Sequence, residues 1–373
     1  MRSFVYEALP GRVVFGAGAS RKDLAGEVDR LGVERILLVA AEGERPLAEE
    51  LAGPLGDRVV GVFSGVRPHV PVEVAGAARE SAGRLGADCL LCVGGGSTSG
   101  TAKAVALESG LPIVAVPTTY AGSEMTPVWG MTEAQRKTTG SSPDVLPKVV
   151  VYDPELTFSL PPSITGPSAI NAMAHCVEAF YAPGANPITS LVAEEGVRAL
   201  ARGIPVAVRS PEDLDGRSET LYGAYLAGAA FAVAGSGLHH KICHVLGGAY
   251  DLPHADTHTI ILPHVVAFNE PAVPQAMGRV ARALGGARDD AANGTTDDGG
   301  AAAGIFDLIE GIGAPTALED VGMREEDLDE AVSLVLETVP EDNPRPVNEE
   351  DIRAILEGAY SGRRPATVSR RRA

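Results

Sequence analysis

Short apolar runs alternate with amphipathic segments along the first 150 residues of this chain of 373 residues. Continuous apolar runs are typical of strands that are covered on both faces, and the segments between them have helical periodicity. This alternation predicts a mostly parallel sheet with helices on both sides. The predicted strands are residues 12–16, 35–40, 58–63, 88–93 and 112–117, and the predicted helices are residues 23–31, 46–55, 71–85 and 98–108.

The second half of the chain has a different pattern, in which long segments rich in Ala, Leu and Glu repeat with helical spacing. The sequence therefore predicts an α/β domain over residues 1–157 and an all-helical domain over residues 158–373. The helices predicted in the second domain are residues 169–181, 190–208, 219–234, 327–337 and 350–359. We expect a mobile loop near 285–302, which is polar and rich in glycine, and a disordered basic tail near 363–373.

Charge and composition exclude several classes of function. The net charge of −18 argues against a nucleic-acid partner, which requires a basic surface. No apolar run reaches the roughly 18 residues of a membrane-spanning helix, and the N-terminus lacks the pattern of a signal peptide. We therefore expect a soluble cytoplasmic protein with no membrane partner. Cys89 and Cys92 form a C-x-x-C pair, but in a strand they point to opposite faces, so we expect buried thiols rather than a metal or redox pair.

A glycine triplet between a predicted strand and a predicted helix is the first candidate site. Glycines let a backbone approach a ligand closely, and the helix N-terminus that follows attracts phosphate. The sequence therefore favours a dinucleotide or phosphate site over a plain tight turn, although it is not the G-x-G-x-x-G pattern. The residues of this turn are Gly94, Gly95, Gly96, Ser97 and Thr98. The hydroxyl-rich segment 117–130 suits a loop along a coenzyme, and an ordinary Ser/Thr turn has the same composition.

Histidines are the second candidate site, because seven of the eight lie between residues 175 and 264. His240 and His244 are four residues apart and share one face of a helix, as do Asn171 and His175. Several histidines at helical spacing indicate a site rather than core residues. Histidine serves both as a metal ligand and as a proton donor near neutral pH, and the spacing leaves both roles open.

Several motifs occur in the same order as in the iron-containing alcohol dehydrogenase superfamily, which this chain resembles from about residue 10 to about residue 362. They are GGGST at 94–98, PTTYAGSE at 117–124, the D-P-x-L step at 153–156, and H-x-x-x-H-x-L-G-G-x-x-x-L-P-H at 240–254. The resemblance implies a dehydroquinate synthase-like fold, with a Rossmann-like dinucleotide-binding domain followed by an all-α domain. It implies that the glycine turn (Gly94–Gly96, Ser97 and Thr98) holds the pyrophosphate of NADH or NADPH. The further coenzyme contacts that it implies are Thr118, Thr119, Ser123 and Lys137.

Metal-dependent members of the superfamily bind iron or zinc through one aspartate and three histidines. The matching positions here are Asn171, His175, His240 and His254, so the carboxylate is replaced by a neutral amide. An amide is a poor ligand for a divalent cation, and we therefore expect no metal. If a metal is present, the resemblance implies that His175, His240 and His254 hold it.

Loss of that carboxylate is typical of the maleylacetate reductases, which this chain also resembles at TTYAGSEMTP, NAMAHCVEA, LHHKICHVLGG and NPRPV. The implied reaction is NAD(P)H-dependent reduction of the C=C bond of maleylacetate to 3-oxoadipate during the degradation of aromatic compounds. Protonated imidazoles or Lys241 would then stabilise the enolate, and His244 would supply the proton. The residues expected to act in catalysis are His175, His240, His244 and His254, and those expected to bind the two substrate carboxylates are Asn171, His239, Lys241 and Arg345.

Coenzyme choice stays open at this point. NAD-specific relatives often carry an aspartate after the second strand, where this chain has Ala40 and Ala41. NADPH is therefore expected to be accepted as well as NADH, although Glu42 or Glu44 can partly restore a preference for NADH. Relatives are commonly dimers, so a homodimer is expected.

Other functions fit the same motifs. They are a metal-dependent alcohol dehydrogenase or carbonyl reductase, a reductase for another enoate or ketoacid, a lyase like dehydroquinate synthase, and a non-catalytic nucleotide-binding protein. For Arg345, a surface ion pair explains the residue as well as substrate binding does.

Overall fold

Six parallel strands form one sheet in a computed structural model of the chain, which describes residues 4, 6–9, 11–133, 136–285 and 300–365, without the side chains of 136 and 137. The strands are β1 (Arg12–Phe15), β2 (Ile36–Val39), β3 (Val59–Phe63), β4 (Cys89–Gly94), β5 (Ile113–Pro117) and, after a two-stranded hairpin, β8 (Val149–Tyr152). The hairpin pairs β6 (Val128–Glu133) antiparallel with β7 (Arg136–Ser141). The strand order in the sheet is β1-β8-β5-β4-β2-β3.

Helices connect the strands as the alternation predicts. They are α1 (Ala19–Lys22), α2 (Leu24–Leu31), α3 (Arg45–Ala52), α4 (Val72–Leu85) and α5 (Gly96–Ser109). All five predicted strands and all four predicted helices of this half are confirmed, with bounds shifted by up to three residues. The hairpin and β8 were not predicted, because β8 follows a hairpin instead of a helix and so falls outside the βα alternation.

The second half is helical, as predicted. Its helices are α6 (Pro162–Glu178), α7 (Pro187–Arg209), α8 (Leu214–Ala234), α9 (Leu238–Tyr250), α10 (His254–Asn269), α11 (Pro274–Ala283), α12 (Gly300–Gly311), α13 (Leu328–Leu336) and α14 (Glu349–Tyr360). Bounds for α9, α10, α11 and α12 were not predicted, and α6 begins seven residues before its predicted start. The apolar sides of α9, α10, α13 and α14 meet in one buried cluster.

Two boundary predictions need correction. The mobile loop was expected to end near residue 302. Helix α12 instead begins at Gly300, and Ala301 and Ala302 are buried. Residues 286–299 and 366–373, which hold the rest of the predicted loop and tail, lie outside the described residues. In the described part of the tail, the backbone N–H of Arg363 donates to Gly358 O, and Arg364 forms an ion pair with Asp307, so disorder was the wrong expectation there.

The chain divides into two compact units. One is Ala8–Leu160, and the other consists of the described parts of Pro161–Ala373 and Met1–Glu7. Cys89 and Cys92 are free, buried thiols within the first unit, which confirms the interpretation of the C-x-x-C pair. In the described part of the chain no single helix has the length and apolarity to span a membrane, whereas α8 and α9, bent by 102°, meet that criterion only as a pair.

Candidate functional site

The glycine turn lies where β4 ends and α5 begins, as predicted. Gly94 has a φ of 150°, which favours glycine, and Gly95 is the N-cap of α5. A Cβ on Gly94 would lie 2.3 Å from a carboxylate oxygen of Glu44 and 2.5 Å from the hydroxyl of Thr98. A side chain at position 94 would therefore clash with Glu44 and Thr98, and α5 begins directly after this glycine turn. This geometry fits the pyrophosphate of a dinucleotide.

The second coenzyme segment packs directly against the glycine turn. A Cβ on Gly95 would lie 3.0 Å from a methyl carbon of Thr119, and one on Gly96 would lie 3.1 Å from Ala121. The backbone N–H of Thr118 donates to Gly94 O over 3.2 Å. The structure thus brings together all the predicted coenzyme residues of 94–98 and 118–119. Ser123 lies one turn farther along, and Lys137 is in β7 with its side chain outside the described residues.

Glu44 also lies at this turn. The sequence left open whether Glu42 or Glu44 influences the choice of coenzyme. The hydroxyl of Thr118 donates to Glu44 Oε1 over 2.7 Å, and the hydroxyl of Thr98 donates to Oε2 over 3.4 Å. Glu42 is exposed, and no hydrogen bond of its side chain is recorded among the described residues. The carboxylate beside the phosphate-binding turn is therefore that of Glu44.

Five histidines lie together in the helical unit. Their ring centroids are 4.4–6.4 Å apart in neighbouring pairs, because α9 and α10 each present two histidines four residues apart on the packed face. His175 on α6 stacks on His240, with centroids 5.0 Å apart, and Phe231 packs against both rings. The five histidines are His239, His240, His244, His254 and His258. The predicted cluster is thus assembled from helices α6, α8, α9 and α10.

Glu178, which sequence reasoning missed, organises this cluster. Its carboxylate is fully buried and lies 2.5 Å from His240 Nδ1. It also accepts the backbone N–H groups of Gly237 and His239, each over 2.8 Å, and so caps the start of α9. A Cβ on Gly237 would lie 2.9 Å from this carboxylate, so the glycine allows the close approach. A signal was present, since Glu178 follows Asn171 and His175 at the i+7 and i+3 positions of one helix face.

Burial keeps several of these groups uncharged. Desolvation, together with the neighbouring His240, lowers the pKa of His175 well below its usual value. Desolvation lowers the pKa of His239 to about 3 and that of His258 well below its usual value. These lowered pKa values argue against a protonated imidazole at His175 or His239 at neutral pH. Burial also raises the pKa of Glu178.

Three buried polar atoms of the cluster have no hydrogen-bond partner among the described residues. They are Asn171 Oδ1, His175 Nδ1 and His258 Nε2. An unpaired buried polar atom costs about 1–3 kcal/mol, so such atoms mark a place where a polar ligand or water is expected. His244, His254 and Lys241 are half-buried at the edge of the same cluster.

Two predicted substrate contacts are bonded to other protein groups. The ring of His239 is fully buried, with its Nε2 hydrogen-bonded to His258 Nδ1 at 2.9 Å. Arg345 forms an ion pair with Asp351 over 3.2 Å, and its guanidinium lies 4.2 Å from the centre of the Phe268 ring. These positions argue against substrate binding by either residue, and for Arg345 they favour the surface ion pair.

The arrangement of donor atoms determines whether the metal of this family can bind here. Among His, Cys, Asp and Glu residues that the structure describes, one group has ligand atoms within 4.8 Å of one another, namely His239, Cys243 and His258. The predicted set of His175, His240 and His254 is not such a group, and its fourth member is the amide of Asn171. Metal binding by His239, Cys243 and His258 would break the His239–His258 hydrogen bond and deprotonate a thiol whose pKa burial raises. Neither set fits a resident divalent metal.

Comparisons with known proteins agree with this fold. Residues 10–154 match the family model described as iron-containing alcohol dehydrogenase, and residues 165–360 match the model of the Fe-containing alcohol dehydrogenase family, C-terminal. Maleylacetate reductase from Burkholderia cepacia is 48% identical over 98% of this chain and 100% of its own length.

Solved structures with the same fold include proteins of high sequence identity to this chain. The maleylacetate reductase of Rhizobium sp. strain MTP-10005 is 44% identical, with a TM-score of 0.90 over 98% of this chain and 100% of that chain. A protein from Ralstonia eutropha JMP134, described as a putative alcohol dehydrogenase, is 53% identical, with a TM-score of 0.92 over 98% of this chain and 100% of that chain. The chain therefore belongs to the iron-containing alcohol dehydrogenase family of NAD(P)-dependent oxidoreductases, in its maleylacetate reductase branch.

Proposed function

We propose that this enzyme reduces the C=C bond of maleylacetate with NAD(P)H and forms 3-oxoadipate. The observation that carries the proposal is the identity of 48% over nearly the whole chain with reductases of that name. The replacement of the family's metal-binding carboxylate by Asn171, one helical turn before His175, supports the same reaction.

The two units have separate tasks in this proposal. Residues 1–157 bind the coenzyme, whose pyrophosphate is held by the glycines of 94–96, by the start of α5 and by the hydroxyls of 97–98 and 118–119. When bound, the reduced nicotinamide supplies a hydride to the carbon β to the substrate ketone. Residues 158–373 supply the groups that bind the substrate and move the proton.

Glu44 gives the coenzyme site a preference for NADH. Its carboxylate lies on the phosphate-binding turn, held by Thr98 and Thr118. A carboxylate in this region can accept hydrogen bonds from ribose hydroxyls and repels a 2′-phosphate. NADPH is used less well for this electrostatic reason.

Hydride addition to the enone leaves an enolate, which needs hydrogen-bond donors and then a proton. His175 is nearly fully buried and its Nδ1 has no partner among the described residues, so a neutral imidazole N–H is available to a substrate oxygen. The atom of Asn171 without a partner is Oδ1, an acceptor, which suits a hydroxyl or N–H group instead of the oxyanion. Pre-oriented neutral donors stabilise a developing oxyanion without the cost of burying a second charge.

His244 donates the proton to the α-carbon. It is half-buried and lies 6.0 Å from His240 and 6.4 Å from His254, measured between ring centroids. It therefore touches both the buried cluster and solvent, which a general acid needs to recover its proton. Lys241, half-buried on the same helix, supplies positive charge for a substrate carboxylate.

No step of this reaction needs a Lewis acid, because hydrogen bonds and the ammonium group compensate the charge on the substrate. We also propose that the enzyme is a cytoplasmic homodimer without a nucleic-acid or membrane partner.

The test is NADH oxidation with maleylacetate, before and after exhaustive chelation, with metal analysis of the same sample. We expect turnover with maleylacetate that survives chelation. Absence of turnover with maleylacetate, together with turnover of a simple aldehyde or ketone, would assign the enzyme to the carbonyl-reducing members of the family.

A further inference from the structure

Lys103 is a fully buried lysine of α5 to which the proposed reaction assigns no task. Its ammonium group donates to three backbone carbonyls, Ser123 O at 2.6 Å, Thr126 O at 2.8 Å and Val128 O at 2.8 Å. The hydroxyls of Ser123 and Thr126 lie 3.2 and 3.0 Å away. An ammonium has three N–H groups, so the three shortest contacts use all of them.

The three carbonyls belong to a segment with little regular structure, residues 118–127, and to the first residue of β6. Carbonyl oxygens that converge on one point repel each other unless a positive group lies between them. The path of this segment therefore depends on the Lys103 ammonium. Hydrogen bonds within the segment are few, the main ones being from Met125 N to Gly122 O and from Thr126 N to Ser123 O.

The charged neighbours of Lys103 are also few. Glu124, whose carboxyl accepts the hydroxyl of Tyr152 over 2.7 Å, acts on Lys103 only through its charge, and Cys92 on β4 is the other titratable neighbour. The ammonium is thus held chiefly by backbone oxygens of the coenzyme segment.

We propose that Lys103 is a positioning residue that ties the segment 118–128 to helix α5, so that the two coenzyme-binding parts of the sheet unit keep one fixed geometry. The glycine turn opens α5, and Lys103 lies two turns farther along the same helix. Thr118 and Thr119 contact that turn at one end of the segment, and Lys103 fixes the other end. The inference rests on the proposed coenzyme contacts at 118–123 but not on the identity of the substrate.

The chain offers a direct reporter of this segment. Its single tryptophan, Trp129, follows Val128 immediately and packs on Gly140 of the hairpin. Tryptophan emission of the coenzyme-free protein therefore reports the position of the end of the segment without any catalytic assay.

The test compares Lys103→Met, which keeps most of the side-chain volume and removes the charge, with Lys148→Met, a change at an exposed lysine of the same unit. We expect Lys103→Met to shift the Trp129 emission and to raise the Kd for NADH about 10-fold or more, with kcat at saturating NADH within about threefold of wild type. Lys148→Met should match wild type in all three measurements.

A second variant, Thr126→Val, serves if Lys103→Met does not fold. It removes the hydroxyl that lies 3.0 Å from the ammonium and the bond from Thr126 Oγ1 to Ser123 O, and it should raise the same Kd by a smaller factor. Unchanged Trp129 emission and unchanged NADH affinity in a folded Lys103→Met protein would overturn the inference. A shifted emission with unchanged NADH affinity would also overturn it. The segment would then have moved without any effect on coenzyme binding, so it would not be a coenzyme contact. Absence of maleylacetate turnover in the wild-type protein, with normal NADH binding, would instead count against the proposed function alone.

Discussion

The carboxylate of Glu178 lies 2.5 Å from Nδ1 of His240, and both side chains are almost completely buried. The same carboxylate accepts two backbone N–H groups at the start of α9. One residue of α6 therefore sets both the orientation of the His240 ring and the position of the helix that carries three of the clustered histidines. A buried carboxylate bonded to a histidine commonly fixes the ring's orientation and tautomer.

Replacement of this carboxylate tests its role. Glu178→Gln keeps the size of the side chain but removes the charge that holds His240. We expect kcat to fall about 10-fold to 100-fold, with the Kd for NADH within about twofold of wild type. Glu50→Gln, at an exposed position, is the control. Wild-type turnover in a folded Glu178→Gln protein would show that the orientation of His240 does not matter for the reaction.

His244 is the proposed proton donor, so its loss should slow turnover far more than it weakens binding. We expect His244→Ala to lower kcat by about 10²-fold or more, because general-acid catalysis contributes at least that much. The KM values for NADH and substrate should change little. Steady-state kinetics near neutral pH measures both quantities, and normal turnover would remove His244 from the mechanism.

Asn171 decides whether the cluster can hold a metal. The wild-type enzyme should contain far less than one equivalent of iron or zinc and should keep its activity after chelation. Asn171→Asp adds the carboxylate that family members use, and we expect it to raise metal occupancy and to lower maleylacetate turnover. Metal analysis by mass spectrometry measures the first effect. Stoichiometric metal in the wild type, lost together with activity, would contradict the mechanism.

Glu44 should control the choice between the two coenzymes. We expect Glu44→Gln to raise kcat/KM for NADPH relative to NADH by about 10-fold, which corresponds to removal of about 1.4 kcal/mol of charge repulsion. Glu42→Gln, nearby but exposed, is the matched control and should leave the ratio unchanged. If both variants keep the wild-type ratio of kcat/KM for NADPH and NADH, Glu44 does not interact with the 2′ position of the coenzyme's ribose.

Buried neutral histidines should make the fold sensitive to mild acid. The pKa of His239 is lowered to about 3 and that of His264 to about 4, both chiefly by desolvation, and those of His175 and His258 are well below the usual value. In the unfolded chain these side chains take up protons near pH 6.5, whereas in the folded chain they stay neutral. The unfolded state therefore binds more protons between about pH 6.5 and the lowered pKa values, and stability is lost as the pH falls through that window.

Each such histidine contributes up to about 1.4 kcal/mol per pH unit. The raised pKa values of Glu124 and Glu178 act in the opposite direction, because the folded state takes up those protons first. Urea unfolding at pH 7.5 and 5.5 measures the balance, and we expect a lower free energy of unfolding at pH 5.5. His264→Gln should make this loss smaller by about 1.4 kcal/mol. Equal stability at the two pH values would mean that the folded cluster binds protons.

The sequence predicted most of the fold because its signals are local. A short apolar run such as 88–93, followed directly by glycines, is typical of an inner strand with both faces covered, and the glycines allow the positive φ that the turn after it needs. The hairpin at 128–141 has polar, glycine-containing strands, so its pairing depends on packing that no local pattern records.

What the sequence by itself determined is the order of strands and helices, the glycine turn and the grouping of histidines, because each depends on residues that are near neighbours in the chain. Only the tertiary structure showed that Glu178 holds His240 from 62 residues away, that Glu44 reaches Thr118 across 74 residues, and that Lys103 binds three carbonyls of another segment. It also showed that the His239 ring is hydrogen-bonded to His258 and that Arg345 is paired with Asp351. Such contacts form between distant segments only after the chain packs. Packing decides which polar groups are buried and which lie close together, and buried polar groups need hydrogen-bond partners.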